Sequence, residues 1–323
     1  MRALRVERLA PDYAGCELGD LPTPEPGPGQ ARVRVRAAAV NFPDLLMTRG
    51  EYQHKPELPF TPGLEWAGEI EALGEGVEAW SIGDAVVGGG AAFAEQVIAP
   101  AAALRAKPAN FSFAEAAAYG VAYLTAYVSL VRRARAEAGE WLLVHGAAGG
   151  VGLACVDLGQ ALGLRVIAAS ASDAKLAVIQ RDYAPEAVLN VTGGFREKVK
   201  ALTRGRGADI VYDPVGGDVF DESLRCIAFD GRLLVVGFAS GRIPNVSVNL
   251  PLIKGFSVMG VRAGEYGRQF PARGAEDRSA IWRLAEEGKT RPRVHAELPL
   301  SDWREAFELL ARREVVGKAV IVP

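Results

Sequence analysis

The stretch WLLVHGAAGGVG, residues 141–152, decides the fold of this 323-residue chain. Its first four residues are continuously apolar, as in a strand covered on both faces, and a helical pattern follows its glycines. Gly149 and Gly152 occupy the second and third positions of a GxGxxG pattern, with Ala147 at the first. Gly149 lets a pyrophosphate approach the backbone, and Gly152 lets helix and strand pack closely. The stretch predicts a dinucleotide-binding loop that includes Gly150 and Val151; the alternative is a glycine turn needed only for packing.

Strand-like and helical segments alternate from this stretch onward. Strands are predicted at 141–146, 165–169, 187–190, 209–212, 232–237 and 256–261. Helices are predicted at 150–162, 173–182, 195–203 and 218–227. Six strands joined mostly by helices form a doubly wound parallel sheet with right-handed crossovers. We therefore predict an α/β fold of the Rossmann type here.

The first hundred residues have a different pattern, rich in Pro, Gly and short β-type runs. Strands predicted at 31–40, 66–73, 84–88 and 93–98 suggest an irregular antiparallel barrel. The pattern changes near residue 112, where Ser112 and Glu115 form a capping box before an alanine-rich helix. The tail adds a helix at 276–287, a helix capped by Ser301 and a last strand at 318–322.

Composition narrows the class of partner. The formal net charge of −2 gives no electrostatic reason to expect nucleic acid or an anionic membrane surface. Cys16, Cys155 and Cys226 form no CxxC pair, so neither a disulfide framework nor a cysteine-rich zinc site is expected. The N-terminus has no apolar signal region, and glycines and a histidine interrupt the longest uncharged run near 141–156. We expect a small-molecule substrate and a cytoplasmic location.

The end of the second Rossmann strand indicates which nicotinamide cofactor binds. An NAD site usually places an acid there to hold the ribose 2′-hydroxyl, but residues 168–172, AASAS, contain none. Ser170, Ser172 and Lys175 supply the hydroxyls and the cation that a 2′-phosphate needs, so NADPH is the predicted cofactor. In the alternative, Ser172 only caps a helix and Lys175 is solvated. Asp173 falls in the first helical turn, where an acid is favoured in any case.

Ten runs in a fixed order carry a resemblance that covers nearly the whole chain. They are VNFPD (40–44), RGEY (49–52), LPFTPGLEWAG (58–68), GD (83–84), LTAY (124–127), HGAAGGVG (145–152), DPVGG (213–217), GRLLVVGFASG (231–241), NLPLIKGFSVMGVR (249–262) and GKAVIVP (317–323). The chain resembles the zeta-crystallin-like quinone oxidoreductases, a zinc-free family of the medium-chain dehydrogenase/reductase superfamily. The resemblance implies a GroES-like β-barrel catalytic domain over 1–118 and 264–323, a Rossmann NADPH-binding domain over 119–263, and a cleft between them.

Two positions argue against a catalytic metal. In the related zinc alcohol dehydrogenases a cysteine stands where this chain has Asn41, and the triplet GHE stands at Gly63-Leu64-Glu65. Leucine cannot ligate zinc, and asparagine is a poor ligand for first-row metals. The four-cysteine structural zinc lobe has no counterpart either. We expect no metal, and a hydride transfer that is organised by positioning.

The resemblance also implies roles for individual side chains. Asn41 and Tyr52 line the substrate pocket, where Tyr52 could hydrogen-bond a substrate carbonyl or protonate an enolate-like product. The other implied contacts with cofactor or substrate are Thr125 near the nicotinamide ribose, Gly237, Phe238 and Ala239 beside the nicotinamide, and Arg262 in the pocket. The alternatives are a packed loop aromatic for Tyr52, a satisfied buried turn for Asn41 and a salt bridge for Arg262. Asp44 is expected to be a structural cap rather than a base.

Two departures from the family pattern bear on the cofactor. The family commonly has a tyrosine after the third Rossmann strand, near the adenosine phosphate, and this chain has Val191 there. Tyr183, in a preceding segment one residue longer than usual, could compensate.

The function predicted is NADPH-dependent, zinc-independent hydride transfer to a quinone or a similar conjugated carbonyl. One alternative is reduction of the double bond of an enone or enoyl thioester; another is a non-catalytic NADPH-binding protein. The presence of Asn41, Tyr52 and Thr125 favours an enzyme. A homodimer joined through the last Rossmann strand, 256–261, is also expected, because an exposed apolar edge would otherwise promote association.

Overall fold

The computed structural model describes residues 1–323, and the chain divides into two units. Unit 1 comprises Met1–Val121 and Pro292–Pro323, and unit 2 comprises Ala122–Arg291. The strands are β1 Arg2–Val6, β2 Cys16–Asp20, β3 Gln30–Ala39, β4 Glu65–Leu73, β5 Ala85–Gly88, β6 Gln96–Pro100, β7 Arg105–Ala106, β8 Trp141–Val144, β9 Arg165–Ser170, β10 Ala187–Asn190, β11 Ala208–Asp213, β12 Ile227–Val235, β13 Ser257–Gly260, β14 Val294–Pro299 and β15 Lys318–Val322.

The helices are α1 Phe42–Arg49, α2 Phe113–Ala117, α3 Gly120–Tyr127, α4 Gly150–Ala161, α5 Asp173–Tyr183, α6 Arg196–Leu202, α7 Gly217–Ser223, α8 Asn249–Lys254, α9 Ala263–Gln269, α10 Pro271–Glu286 and α11 Trp303–Ala311, with a π-helical stretch at Val128–Ala134. The capping box of α2 is confirmed by bonds from Glu115 N–H to Ser112 Oγ and from Ser112 N–H to Glu115 Oε2. The cap predicted for α11 is wrong: Ser301 lies in a 3-10 turn, and Asp302 is the N-cap residue. No helix combines the length and the hydropathy that crossing a membrane requires.

Unit 1 is built on a sheet in the order β14-β15-β3-β4-β5-β7, with β6 paired to β3. Every pair in it is antiparallel except β14–β15. Val33 and Val35 of β3 are buried, while Arg34 between them is exposed and pairs with Glu71 of β4. Phe307 of α11 is fully buried in the same core. The tail therefore completes this GroES-like unit, as the resemblance implied.

Unit 2 contains a six-stranded parallel sheet in the order β10-β9-β8-β11-β12-β13. The predicted doubly wound α/β fold is therefore confirmed. Every residue of β8 is buried, as its apolar run requires. The strand order reverses between β8 and β11, and in such sheets ligands bind at the carboxyl ends of the strands beside this switch point.

The second domain boundary lies later than the predicted change at residues 263/264. Helices α9 and α10 belong to unit 2, and the chain returns to unit 1 at Pro292. The physical reason is an ion pair: Arg132 of the π-helical stretch donates to Asp277 of α10 at 2.7 Å and to Glu276 at 2.8 Å. Asp277 is fully buried, and a buried carboxylate must keep its cation. This pair fixes α10 to unit 2.

Asp157 of α4 fixes both places where the chain crosses between the units. Its Oδ2 accepts the hydroxyl of Tyr123, just beyond the first crossing, at 2.5 Å. The same oxygen accepts the N–H of Arg291, the last residue before the second crossing, at 2.8 Å. Burial raises the pKa of Asp157 to about 6, although both hydrogen bonds lower it.

Candidate functional site

The loop between β8 and α4 has the geometry of a phosphate-binding turn. Gly146 has a φ of +57°, a left-handed conformation that glycine adopts without strain. A Cβ on Gly152 would lie 2.2 Å from the carbonyl oxygen of Gly146, so only glycine permits this approach. The structure thus gives Gly152 its predicted packing role. It also shows why the pattern tolerates Ala147, because Gly146 supplies the turn.

The N-terminus of α4 offers unpaired donors to an anion. The first hydrogen bond within the helix runs from Leu153 N–H to the carbonyl of Gly149, the N-cap residue, at 2.8 Å. The N–H groups of Gly150, Val151 and Gly152 precede it, so they have no acceptor inside the helix. The glycine cap places no side chain over them. These donors at the positive end of a 12-residue helix suit a pyrophosphate.

The end of β9 carries the groups that the sequence assigns to a 2′-phosphate. Ser172 caps α5, since its Oγ accepts the N–H of Lys175 at 3.4 Å. Ser170 Oγ accepts the N–H of Ser172 at 3.3 Å. The helix cap, which was the alternative for Ser172, is therefore present. Accepting these bonds still leaves each hydroxyl its hydrogen to donate to an anion.

The loops after β11 and β12 are hydrogen-bonded to each other at the carboxyl edge of the sheet. Asp213 Oδ1 accepts the N–H groups of Val215 and Gly216 at 2.8 and 2.9 Å, and burial raises the pKa of this carboxyl. Ala239 N–H donates to the carbonyl of Pro214 at 3.0 Å. These bonds hold the segment predicted to flank the nicotinamide, which comprises Gly237, Phe238 and Ala239.

The structure locates the two remaining predicted contacts of unit 2. Thr125 is half-buried on α3, and its carbonyl accepts the hydroxyl of Ser129 at 2.6 Å. Arg262 directly precedes α9, with a side chain that is 59% exposed, and lies 3.8 Å from Glu265. The salt-bridge alternative for Arg262 is therefore present in the structure.

Tyr183 forms its hydrogen bonds with Arg291 and Gln160, not with residues at the end of β10. Its hydroxyl donates to the carbonyl oxygen of Arg291 at 3.1 Å, and its own carbonyl accepts the side-chain amide of Gln160 at 2.9 Å. Val191 directly follows β10, where its N–H donates to the carbonyl of Ser170 at 3.1 Å. These bonds tie Tyr183 to the chain crossing at Arg291, and they do not favour it as a substitute for the missing tyrosine.

In unit 1, Asn41 belongs to a buried cluster with Glu65 and Lys318, each of which is 5% exposed. Lys318 Nζ donates to Asn41 Oδ1 at 2.6 Å and to Glu65 Oε1 at 3.0 Å. Asn41 Nδ2 donates to Glu65 Oε1 at 3.0 Å and to the carbonyl of Ala39 at 3.2 Å. Both amide hydrogens of Asn41 are therefore used, and its predicted alternative role in a satisfied buried turn is realised.

The sequence analysis did not identify Glu65 and Lys318 as site residues, although their positions at the start of buried strands could have indicated them. Each begins a strand and is followed directly by buried residues, Trp66-Ala67-Gly68 after Glu65 and Ala319-Val320-Ile321 after Lys318. A charge that enters a buried strand needs a partner, and each is the other's partner. Glu65 Oε2 also accepts the N–H of Val121 at 2.8 Å. Tyr52, the other predicted catalytic side chain, is half-buried in the loop between α1 and β4.

Asp44 has the capping role expected of it. Its Oδ2 accepts the backbone N–H of Asn41 at 2.8 Å, at the start of α1. The side chain is fully buried, and burial raises the pKa of Asp44 from 3.8 to about 7, although the Asn41 N–H and the Lys318 ammonium lower it. Asp44 therefore exchanges its proton near neutral pH.

Two family models match the two parts of the chain. "Alcohol dehydrogenase GroES-like domain" matches residues 27–109, within unit 1, and "Zinc-binding dehydrogenase" matches residues 150–276, within unit 2. Among curated proteins, "Quinone oxidoreductase-like protein 2 homolog" of Nematostella vectensis is 39% identical, over 88% of this chain and 79% of that protein.

Two solved structures align over 100% of both chains with the same TM-score of 0.89. One, a mycobacterial protein in complex with NADPH, is 31% identical to this chain; the other, described as an NAD-dependent alcohol dehydrogenase, is 32% identical. The two are equally similar and their descriptions name different cofactors. Overall similarity is therefore the same to a protein described with NADPH and to one described with NAD.

The raised pKa of Asp44 predicts a loss of stability with rising pH. The folded protein holds this proton more tightly than the unfolded chain, so the contribution is complete below pH 3.8 and is lost as pH rises through about 7. The full difference is about 4 kcal/mol. Asp44→Asn cannot ionise, and its Oδ1 can still accept the Asn41 N–H. We expect the melting temperature of Asp44→Asn to rise relative to wild type between pH 5.5 and 8.5, on the order of several degrees.

The matched control for this experiment is Asp84→Asn. Asp84 Oδ2 accepts the N–H of Ser81 at 2.8 Å in the same i, i+3 arrangement, but Asp84 is only half-buried and the bond is exposed to solvent. Its melting temperature relative to wild type should not depend on pH. Parallel pH profiles of Asp44→Asn and wild type would contradict the assignment.

Proposed function

We infer that this protein, which belongs to the quinone oxidoreductase-like family of the medium-chain dehydrogenases/reductases, is an NADPH-dependent reductase of quinones or similar conjugated carbonyl compounds and works without zinc. The observation that supports the proposal is the end of β9, where Ser170 ends the strand, Ser172 caps α5 on the N–H of Lys175, and no acid ends the strand. We also propose a cytoplasmic location. The three cysteines of the protein are buried and form no disulfide, which suits a reducing compartment.

The preference for NADPH follows from the charge of a 2′-phosphate. Two serine hydroxyls and an ammonium can donate to it, and hydrogen bonds to charged groups are worth about 1.5–3 kcal/mol each. NADH has a 2′-hydroxyl instead, which an acid at the end of β9 would hold. The chain provides the first set of groups and lacks the second at this position.

Zinc independence is supported by the donors around Asn41. The Lys318 ammonium already donates to Asn41 Oδ1 and Glu65 Oε1, the oxygens that a metal at this place would use. A second cation beside a buried ammonium would be repelled strongly. Leu64 offers no ligand atom at the other zinc position.

NADPH bound to unit 2 would supply a hydride, and the acceptor takes a proton as well. The α4 N–H groups would hold the pyrophosphate, and the segment Gly237–Ala239 and Thr125 would border the nicotinamide end. We propose that Tyr52 is the polar group that meets the substrate carbonyl. Asn41 can offer it no N–H, because both amide hydrogens are already donated. We propose that Asn41 shapes the substrate site within unit 1 and that Arg262 remains a candidate pocket residue of unit 2.

We further propose a homodimer through the exposed edge of the Rossmann sheet. β13 is an edge strand of this sheet. Three large apolar side chains near it are exposed: Phe229 by 82%, Leu252 by 82% and Ile253 by 72%. The Phe229 ring lies against Gly255, the residue directly after α8, which carries Leu252 and Ile253. A free strand edge beside exposed apolar side chains is a surface that a second copy would cover.

Removing the Lys175 ammonium tests the cofactor assignment. Lys175→Ala should raise the KM for NADPH at least about tenfold, because one charged hydrogen bond is lost, and leave the KM for NADH within about twofold. Steady-state kinetics with both cofactors measures the two values. Lys289→Ala, which removes an exposed lysine paired with Glu287, is the control. Equal losses with NADPH and NADH would contradict the proposal.

Turnover with a substrate panel tests the reaction. We expect NADPH oxidation with quinones, no loss of rate after treatment with a chelator, and a lower kcat in Tyr52→Phe. Faster turnover of enones or enoyl thioesters than of quinones would transfer the assignment to double-bond reduction. Tight NADPH binding without turnover of any substrate would instead favour a non-catalytic binding protein.

Light scattering tests the dimer. The wild type should have the mass of two chains at micromolar concentration, and Leu252→Glu/Ile253→Glu should have the mass of one, because charge on the patch opposes its burial. Ile82→Glu is the matched control, since Ile82 is 69% exposed in unit 1. A wild-type monomer would refute the proposal.

A further inference from the structure

Asn190 ends β10, next to the strand end that carries the proposed phosphate groups. It is paired in register with Ser170, the last residue of β9. Its Nδ2 donates to Asp173 Oδ1 at 2.6 Å, and its Oδ1 accepts the N–H of Thr192 at 2.8 Å. The two bonds require opposite ends of the amide, so they fix its orientation.

Asp173 is the one carboxylate in the first turn of α5, directly after Ser172. An acid in this region has two effects on cofactor choice. It repels a 2′-phosphate, and it can accept the ribose 2′-hydroxyl of NADH. A free Asp173 would therefore oppose the preference that Ser170 and Lys175 create. The bond from Asn190 binds this carboxylate to the end of β10.

The Lys198 ammonium also contacts Asn190. Lys198 of α6 reaches the Asn190 carbonyl oxygen, with its Nζ at 3.4 Å. The backbone of Asn190 thus holds an ammonium while its side chain holds the carboxylate. One residue arranges two charges of opposite sign at the edge where the adenosine ribose of a dinucleotide binds.

We propose that Asn190 is a positioning residue for cofactor choice: it holds Asp173 toward β10, so that this acid neither repels the 2′-phosphate of NADPH nor accepts the ribose hydroxyl of NADH. The inference rests on the proposed use of NADPH. It adds a specificity determinant that lies outside the end of β9 and acts through Asp173.

Calorimetric binding of two adenosine fragments, 2′,5′-ADP and 5′-AMP, tests this role without turnover. Asn190→Leu releases Asp173 and should lower the preference for 2′,5′-ADP over 5′-AMP about tenfold, because the freed carboxylate repels the 2′-phosphate through partly screened solvent. In the Asp173→Asn background the same change should alter the preference by less than about twofold. The kcat at saturating NADPH should not change. Asn245→Leu, at an exposed loop position, is the control.

The double-variant cycle separates the possible results. A preference that Asn190→Leu leaves unchanged, or that falls equally in the Asp173→Asn background, would overturn the role of Asn190 alone. Should Asn190→Leu fail to fold, the single variant Asp173→Asn decides: a gain in preference of more than about tenfold would show that Asn190 does not restrain the acid. Equal affinity of the wild type for both fragments would overturn the use of NADPH, and the inference with it.

Discussion

The close approach of α4 to the loop after β8 is the constraint on which unit 2 depends. A Cβ on Gly152 would collide with the carbonyl of Gly146, so the absence of a side chain sets the distance between helix and strand. That distance brings the donors of Gly150 and Val151 to the carboxyl edge of the sheet. Because the strands are parallel, β9, β11 and β12 end at the same edge. The packing at Gly152 and the parallel strands together place the N–H donors of α4, the serines of β9 and the loop at Gly237 at the carboxyl edge of the sheet.

In unit 1 the main constraint is that charged side chains are buried. Glu65 and Asp44 lie in the same polar region, yet their surroundings differ. Glu65 accepts three hydrogen bonds: those from Lys318 and Asn41 on Oε1, and that from the Val121 N–H on Oε2. Asp44 accepts the backbone N–H of Asn41, and burial raises its pKa to about 7. The two carboxyls therefore differ in their direct partners: an ammonium and an amide contact Glu65, whereas a backbone N–H contacts Asp44.

The sequence predicts those features that depend on neighbours along the chain. The six strands of the Rossmann sheet, the capping box at Ser112 and the packing role of Gly152 follow from periodicity and from residues a few positions apart. In unit 1 the strands β1, β2, β7 and β14 were not predicted. The bond from Lys318 to Asn41 joins residues 277 positions apart, and that from Arg132 to Asp277 joins residues 145 apart. No local pattern encodes such pairings. The expected boundary at residue 263 and the expected role of Asn41 could therefore not take the Arg132–Asp277 and Asn41–Lys318 pairings into account.

The proposed choice of NADPH rests on charge more than on stacking. Val191 follows Asn190, so no aromatic ring at this place can stack on an adenine, and Tyr183 is bonded to Arg291 instead. What remains are the hydroxyls of β9, the lysine of α5 and the acid that Asn190 holds. Interactions between exposed charges weaken with distance and with salt, whereas hydrogen bonds fix direction. Since Asn190 turns a nearby negative charge by a hydrogen bond, it can influence the binding of a phosphate that it need not touch.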